Sequence, residues 1–421
     1  MTRKALILIE GTRFNGPLYV KAAQRLGLHP ITLSADPGRY DYHAPEMIEA
    51  IRIDTDSLDA LIQVCSRMQA TYEIGGITAA EEEVYATVGK LCRHFDLPGP
   101  NPESIEQCCD KFVQRQLLAR GGVPIPAYRL AANEKEVESA AAEIGLPVIL
   151  KPAVGSGSSG VRLCRNVDEL TEHTSYLLGG KHGWRSSRRI LVEEFANGPY
   201  YSADIMGNEV IGIAAADFDR PPHFVFRECI YPAPLFADEQ MRIIDISLSC
   251  LRTLDLGWGP TNIEFRWTER GPVVIEVNPR LAGGTIPQLC QLAYGVDLVS
   301  EHVKLVIGEK CDLGRRRSHV AGARKLIADR DGILDWIDGD RATAISGVVE
   351  VKFYVEPNTP IVRAGDYRDC LGQVIASSPS RALTETKLQR AVDSISWSIR
   401  PFPALGEKKR LPAAHVPGPG R

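Results

Sequence analysis

Two acids and an amide recur at a spacing that suits a divalent cation. Glu264 lies in Asn262-Ile263-Glu264-Phe265, and Glu276 lies twelve residues on, in Val273-Val274-Ile275-Glu276-Val277-Asn278-Pro279-Arg280. Between them Thr268-Glu269-Arg270-Gly271 reads as a hairpin turn, so antiparallel pairing predicts Glu264 beside Glu276. Alternation along a strand puts Glu276 and Asn278 on one face. Two carboxylates and an amide oxygen form a hard-oxygen site for Mg²⁺. Burying two acids side by side without a cation is costly, and the apolar run Val273–Ile275 argues against an exposed pair of ordinary strands. Arg280 points the same way and suits stabilisation of an anionic reacting centre.

Two further segments suit a polyphosphate. Leu146-Pro147-Val148-Ile149-Leu150-Lys151-Pro152 reads as a buried strand ending in a lysine, followed by the loop Gly155-Ser156-Gly157-Ser158-Ser159-Gly160. Small residues let backbone N–H groups approach phosphate oxygens, and Lys151 adds a point charge. A Gly/Ser loop without that strand and lysine would read as a linker. Ile190-Leu191-Val192-Glu193-Glu194-Phe195 is an apolar strand running into acids and an aromatic, as in a hinge that reads an adenine edge, or in any strand end.

The elements that must position these residues follow from periodicity. Strand-like runs at 5–9, 30–34, 50–53 and 73–78 alternate with helix-like segments at 17–26, 57–68 and 79–95, which predicts a parallel sheet with helices on its faces. Gly11 to Gly16 lacks the Lys-Ser/Thr of a phosphate loop and reads as a strand-to-helix turn. The turn cluster Leu97–Pro102 predicts a boundary. A helix at 103–119, a mixed region to about 308, and a separate C-terminal unit follow. That unit carries a strand at 347–355 and a helix from Arg381 to Ile399. The expected domains are 1–97, 98–308 with a hinge near 193–195, 309–400, and a flexible tail 401–421.

The 421 residues are 44% hydrophobic and 24% charged, ordinary for a globular chain. A net charge of −4 gives no reason to expect a nucleic-acid partner. Ten scattered cysteines without a C-x-x-C pair read as reduced thiols in a cytoplasmic protein. The N-terminus runs straight into a strand without a cleavable signal, and no apolar run approaches the roughly 18 residues of a membrane span.

With these signals in this order, the chain resembles the ATP-grasp superfamily, and within it the carboxylate–amine ligases that include L-amino-acid (dipeptide) ligases. Glu276-Val277-Asn278-Pro279-Arg280-Leu281-Ala282-Gly283-Gly284 is similar to that family's E-[IV]-N-P-R-x-x-G pattern. The resemblance covers roughly residues 1 to 400. It implies an α/β ATP-grasp fold with an N-terminal parallel-sheet pre-ATP-grasp domain and a small C-terminal α+β domain. It also implies ATP and Mg²⁺, with two ions expected and Mn²⁺ as a substitute. Lys111 and Lys151 would hold phosphates under the loop that includes Ser156, Gly157, Ser158 and Ser159. Glu193, Glu194 and Phe195 would line adenine. Glu264, Glu276 and Asn278 would hold the metal, and Arg280 the acyl phosphate. Gly283 and Gly284, with His223 and Arg227, would face substrate. Lys181 to Arg189 would act as a second lid. Tyr200 stands in Gly198-Pro199-Tyr200-Tyr201-Ser202 where members carry a ribose-binding Glu, a departure from the pattern. The stretch Gly365–Asp369 reads as a surface turn without chemistry. The expected partners are a small carboxylate and an amine, with a homodimer as the expected assembly. Carboxylase-type and purine-pathway-type chemistry, or a non-catalytic nucleotide binder, are the alternatives.

Overall fold

The computed structural model describes residues 3–12, 15–40, 48–155, 157–179, 189–218 and 221–403. Ser156, nearly all of the 181–189 lid and the tail beyond 403 lie outside the described residues.

The N-terminal strands β1 (Arg3–Ile9), β2 (His29–Ser34), β3 (Glu49–Arg52) and β4 (Tyr72–Thr78) form a parallel sheet in the order β3-β2-β1-β4. The run Ala5–Ile9 is buried throughout, as a parallel strand covered on both faces requires. The expected helix at 79–95 starts only at Tyr85. The residues before it are held by a tertiary contact instead, Glu82 pairing with Arg280 at 3.2 Å.

The helix expected over 103–119 is two, Pro102–Cys109 and Lys111–Arg120. Asp110 is extended between them, and its carboxylate accepts from the N–H groups of Phe112 (2.9 Å) and Val113 (3.1 Å). Such an N-cap stabilises a helix start by about 1 kcal/mol, and the break sets Lys111 in the first turn.

Strands β5 (Tyr128–Ala131), β6 (Val148–Pro152), β7 (Arg162–Cys164) and β8 (Ile190–Glu194) form an antiparallel sheet ordered β5-β8-β6-β7. The largest sheet is eight-stranded. It takes β9 (Tyr200–Met206), β10 (Glu209–Phe218), β11 (Phe226–Tyr231), β12 (Pro260–Thr268) and β13 (Gly271–Asn278). After β14 (Val320–Ile327) come β15 (Gly332–Asp338), β16 (Val348–Phe353), β17 (Pro360–Ile361), β18 (Cys370–Ser378) and β19 (Ser396–Arg400). The order β13-β12-β9-β10-β11-β14-β18-β16 shows that strands from the C-terminal stretch extend the central sheet. Only β17-β15-β19 forms a small sheet apart. The helix expected from Arg381 to Ile399 stops at Asp393, because Trp397 and Ile399 alternate with Ser396 and Ser398 and pair as β19 against β15.

Register fixes which residues share a face of the large sheet. Glu276 is opposite Glu264, which is opposite Ser202, which is opposite Ala214. Ala216 is opposite Tyr200 on one side and Cys229 on the other, and Cys229 is opposite Ala323. Lys325, two residues after Ala323, is opposite Gln373, and Gln373 is opposite Lys352. Side chains alternate along a strand, so all these lie on one face. A register shift in the β10–β11 pairing sets Phe218 opposite Phe226 and passes over Arg227. It adds Phe226 to the same face.

Candidate active site

That face forms one wall of a cavity of about 1820 Å³. The antiparallel sheet of β5–β8 contributes Ile149, Lys151 and Glu193, and the N-terminal unit contributes Glu81, Glu82 and Glu83. The C-terminal stretch contributes Lys325, Tyr354, Tyr367 and Arg368.

At the β12–β13 end the expected acids meet. The hairpin aligns Glu264 with Glu276 and Asn262 with Asn278, with a bulge just after Glu264. The Asn278 amide donates to Glu264 at 3.4 Å, and Arg280 donates to the Asn278 oxygen at 3.3 Å. Burial, and then the neighbouring Glu276, push the Glu264 carboxyl up to about 7. Glu276 is also pushed up by burial, but Lys111, Lys151 and Arg280 outweigh this and hold it below its ordinary range. Among the described residues no three His, Cys, Asp or Glu side chains gather as a metal cluster. The candidate set is two carboxylates and an amide. It fits Mg²⁺, because the added positive charge would relieve the one acid that its surroundings leave under-compensated.

The two lysines arrive from different elements, Lys111 from the helix Lys111–Arg120 and Lys151 from β6. Lys111 donates to Glu276 at 2.5 Å and to the Gly155 carbonyl at 2.6 Å. Burial acts to lower its pKa, but Glu276 and Glu82 outweigh it and raise the pKa above the usual lysine value. Lys151 lies 2.5 Å from Glu193, whose other oxygen accepts from Arg115 at 2.6 Å. Glu193 is held below its ordinary range, since Arg115 and Lys151 together outweigh burial. Burial lowers the Lys151 pKa, and the Glu193 carboxylate beside it works against that fall.

The remaining expected residues divide. Gly157, Ser158 and Ser159 line the cavity, and Gly157 and Ser158 both take positive φ (65° and 61°). A Cβ on Gly157 would strike the Tyr367 ring, so this loop lies against the segment 365–369. That segment, expected as an inert surface turn, instead presents Tyr367 and Arg368 to the cavity, with Asp366 buried beneath and bonded to Arg368 at 2.6 Å. Glu194 and Phe195 line the cavity too, with Glu194 paired to Arg270 at 2.6 Å. Gly283 and Gly284 line it with open space where a Cβ would stand.

Tyr200 lines the cavity, with its hydroxyl close enough to Glu264 to oppose the rise of that carboxyl's pKa. Its ring meets Phe218 edge-on at 4.8 Å. His223 and Arg227 do not line the cavity. The His223 ring packs beside Gly365, and Arg227 is exposed.

Sequence reading missed Arg115 and Glu82. Arg115 is 1% exposed, bonding Glu193 and the Ile275 carbonyl. Its signal was available, since Lys111 and Arg115 are four apart and share a helix face. Glu82 carried no local signal.

The geometry agrees with comparisons to known proteins. Residues 20–99 match the ATP-grasp N-terminal domain, 110–313 the carbamoyl-phosphate synthase L chain ATP binding domain, and 324–400 the L-amino acid ligase C-terminal domain 2. Protein y4rH of Sinorhizobium fredii is 62% identical over 99% of this chain and 87% of its own length. Human carnosine synthase 1 is 24% identical over 92% of this chain, which spans about half (50%) of that protein. The crystal structure of L-amino acid ligase from Bacillus licheniformis superposes with a TM-score of 0.79 at 19% identity, covering 95% of this chain and 100% of that one. At that identity the likeness speaks for the fold. No helix among the described residues is long and apolar enough to cross a membrane. The chain belongs to the ATP-grasp superfamily.

Proposed function

We propose that the chain is an ATP- and Mg²⁺-dependent ligase that activates a carboxylate, in the first instance that of an amino acid, as an acyl phosphate and joins it to an amine. The observation that carries this reading is the convergence of Glu264, Glu276 and Asn278 with Lys111, Lys151 and Arg280 on one cavity. The match to an L-amino acid ligase C-terminal module supports an amino acid as substrate.

When bound, Mg²⁺ held by Glu264, Glu276 and Asn278 would neutralise charge on the β- and γ-phosphates. Lys111 and Lys151 would supply the remaining positive charge, and the backbone of 157–159 would close over the triphosphate. The Glu193 carboxylate is engaged by Lys151 and Arg115, so an adenine in the hinge would be read by the backbone near Glu194 and Phe195.

A carboxylate oxygen attacks the γ-phosphorus, and the bond to the ADP oxygen breaks. The amine nitrogen then attacks the acyl carbon, inorganic phosphate leaves with the C–O electron pair, and the amine proton passes to phosphate or solvent. Arg280 would hold the developing oxyanion, while its contact with Glu82 fixes the guanidinium against the N-terminal unit. Gly283 and Gly284 would let substrate approach the backbone.

The test is phosphate release from Mg-ATP against paired amino acids, with product masses. ADP formed only with two substrates, and a product of their summed mass less water, establishes ligation. ATP bound but unspent across the panel rejects it.

A further inference from the structure

The cavity face has a second cationic position, at the opposite end from the metal set. Lys325 projects from β14 among Phe226, Tyr354 and Cys370 on the cavity wall. Its ammonium lies 5.9 Å from the centre of the Phe226 ring and 5.6 Å from that of Tyr354. Its hydrogen-bond acceptor is neutral, the Gln373 side-chain oxygen at 2.6 Å.

The nearby acids are engaged elsewhere. Glu350 accepts from the Gln373 amide at 2.7 Å, and Glu228 is paired with Arg324 at 2.7 Å. Among the described residues Lys325 has no carboxylate at ion-pair distance. Two aromatic faces and one amide oxygen compensate a desolvated ammonium only in part.

Four strand steps separate β12 from β14, roughly 19 Å along the sheet at the usual strand spacing. The triphosphate has its own lysines at the other end. A cation without an internal counter-ion, open to a ligand cavity and ringed by aromatic faces, is built to receive an anion brought by the ligand.

We propose that Lys325 is the receptor for a substrate carboxylate that is not the one activated, with Phe226 and Tyr354 holding the apolar part of the same molecule. The inference rests on the ligase reading for the identity of that molecule. An amino-acid acceptor carries such a carboxylate, and so does a donor with two acids. The site gives the enzyme a way to tell the carboxylate to be phosphorylated from the one to be left alone.

The experiment is calorimetric titration of the full chain, loaded with Mg²⁺ and a non-hydrolysable ATP analogue. The probes are the L-amino acids, their C-terminal amides, and the dicarboxylates succinate and glutarate. It needs no turnover, so it stands or falls separately from product formation. The expected result is that at least one carboxylate probe binds and its amide binds roughly 10- to 100-fold more weakly, the range of one charged hydrogen bond. Lys325→Met should erase this difference, and Lys325→Arg should restore part of it. Nucleotide affinity should stay the same in both variants, which reports that they are folded. A preference for amino acids over diacids assigns the carboxylate to the acceptor, and the reverse assigns it to the donor. Equal acid-over-amide discrimination in wild type and Lys325→Met would overturn the proposal. Failure of every carboxylate to bind the nucleotide-loaded protein would overturn it as well.

Discussion

Lys111 and Lys151 face the same cavity as Lys325 but are buried in the opposite manner. Each of the first two has a carboxylate at 2.5 Å, Glu276 and Glu193 respectively. Lys325 has an amide oxygen and two rings. The nucleotide end therefore balances its own charge, and a ligand there must exchange partners. A cation held by Glu276 would free Lys111 for phosphate. The other end lacks a partner to exchange and gains one only when an anion arrives. One cavity thus has an end assembled around mutual pairing and, on the inference above, an end left to be completed by substrate.

Substitutions should separate the two ends, and the largest effect belongs at the paired one. Glu276→Ala removes a proposed metal ligand and the partner of Lys111 together, and phosphate release should fall about a thousandfold or more. Activity within tenfold of wild type would remove Glu276 from the metal set. Next is stability. Lys151→Met leaves Glu193 with one buried cation where it had two, and breaking such a pair costs about 3 kcal/mol in urea unfolding. Lys325→Met removes a cation without a counter-ion and fits a site already lined by rings, so the fold should be as stable as wild type or more so. Equal losses in both variants would erase the distinction between the ends.

How far these ends could be read from sequence depends on how locally each is encoded. The hairpin that joins Glu264 to Glu276 is legible in its turn, but strict pairing outward from Thr268 and Gly271 would set Glu264 opposite Ile275, and it is the bulge just after Glu264 that brings it opposite Glu276. Lys151 is marked by the strand before it and the glycines after it. Arg115 and Glu82 act on partners far along the chain, Glu193 and Arg280, so no short motif contains either contact.

At the Lys325 end the reason is more specific. His223 and Arg227 were expected at the substrate because of the segment they lie in; a bulge turns Phe226 inward and leaves Arg227 off the cavity wall, while His223 precedes β11 and sets its ring beside Gly365. A slip of one residue exchanges the two faces of a strand, and nothing in Phe224-Val225-Phe226-Arg227 reveals it. The expectation of a separate C-terminal unit likewise hid that β14, beside β11, completes the cavity wall.

Two smaller effects sharpen the comparison. Tyr200→Phe keeps the ring against Phe218 but removes the hydroxyl beside Glu264. A lost partner of this kind weakens metal binding by about tenfold, so the Mg²⁺ concentration for half-maximal turnover should rise by that factor. An unchanged Mg²⁺ requirement would show that Tyr200 does not serve the metal set.

The subtlest effect is in pH. Burial holds the Lys325 pKa below its unfolded value, with Lys352 adding to the effect and Cys370, Cys229 and Glu350 opposing it. Between the depressed folded value and the ordinary lysine value the unfolded chain binds more protons, so this group's contribution to stability rises with pH across that interval. Lys111 has a raised pKa, so its contribution is lost as pH climbs above the ordinary value. Any stability advantage of Lys325→Met over wild type at pH 7 should therefore shrink as the pH approaches the ordinary lysine range, because the wild-type amine sheds its charge. Urea midpoints of the two proteins measured side by side cancel the other titrating groups. A gap that widens with pH would mean that Lys325 already has an internal counter-charge and is buried like Lys111.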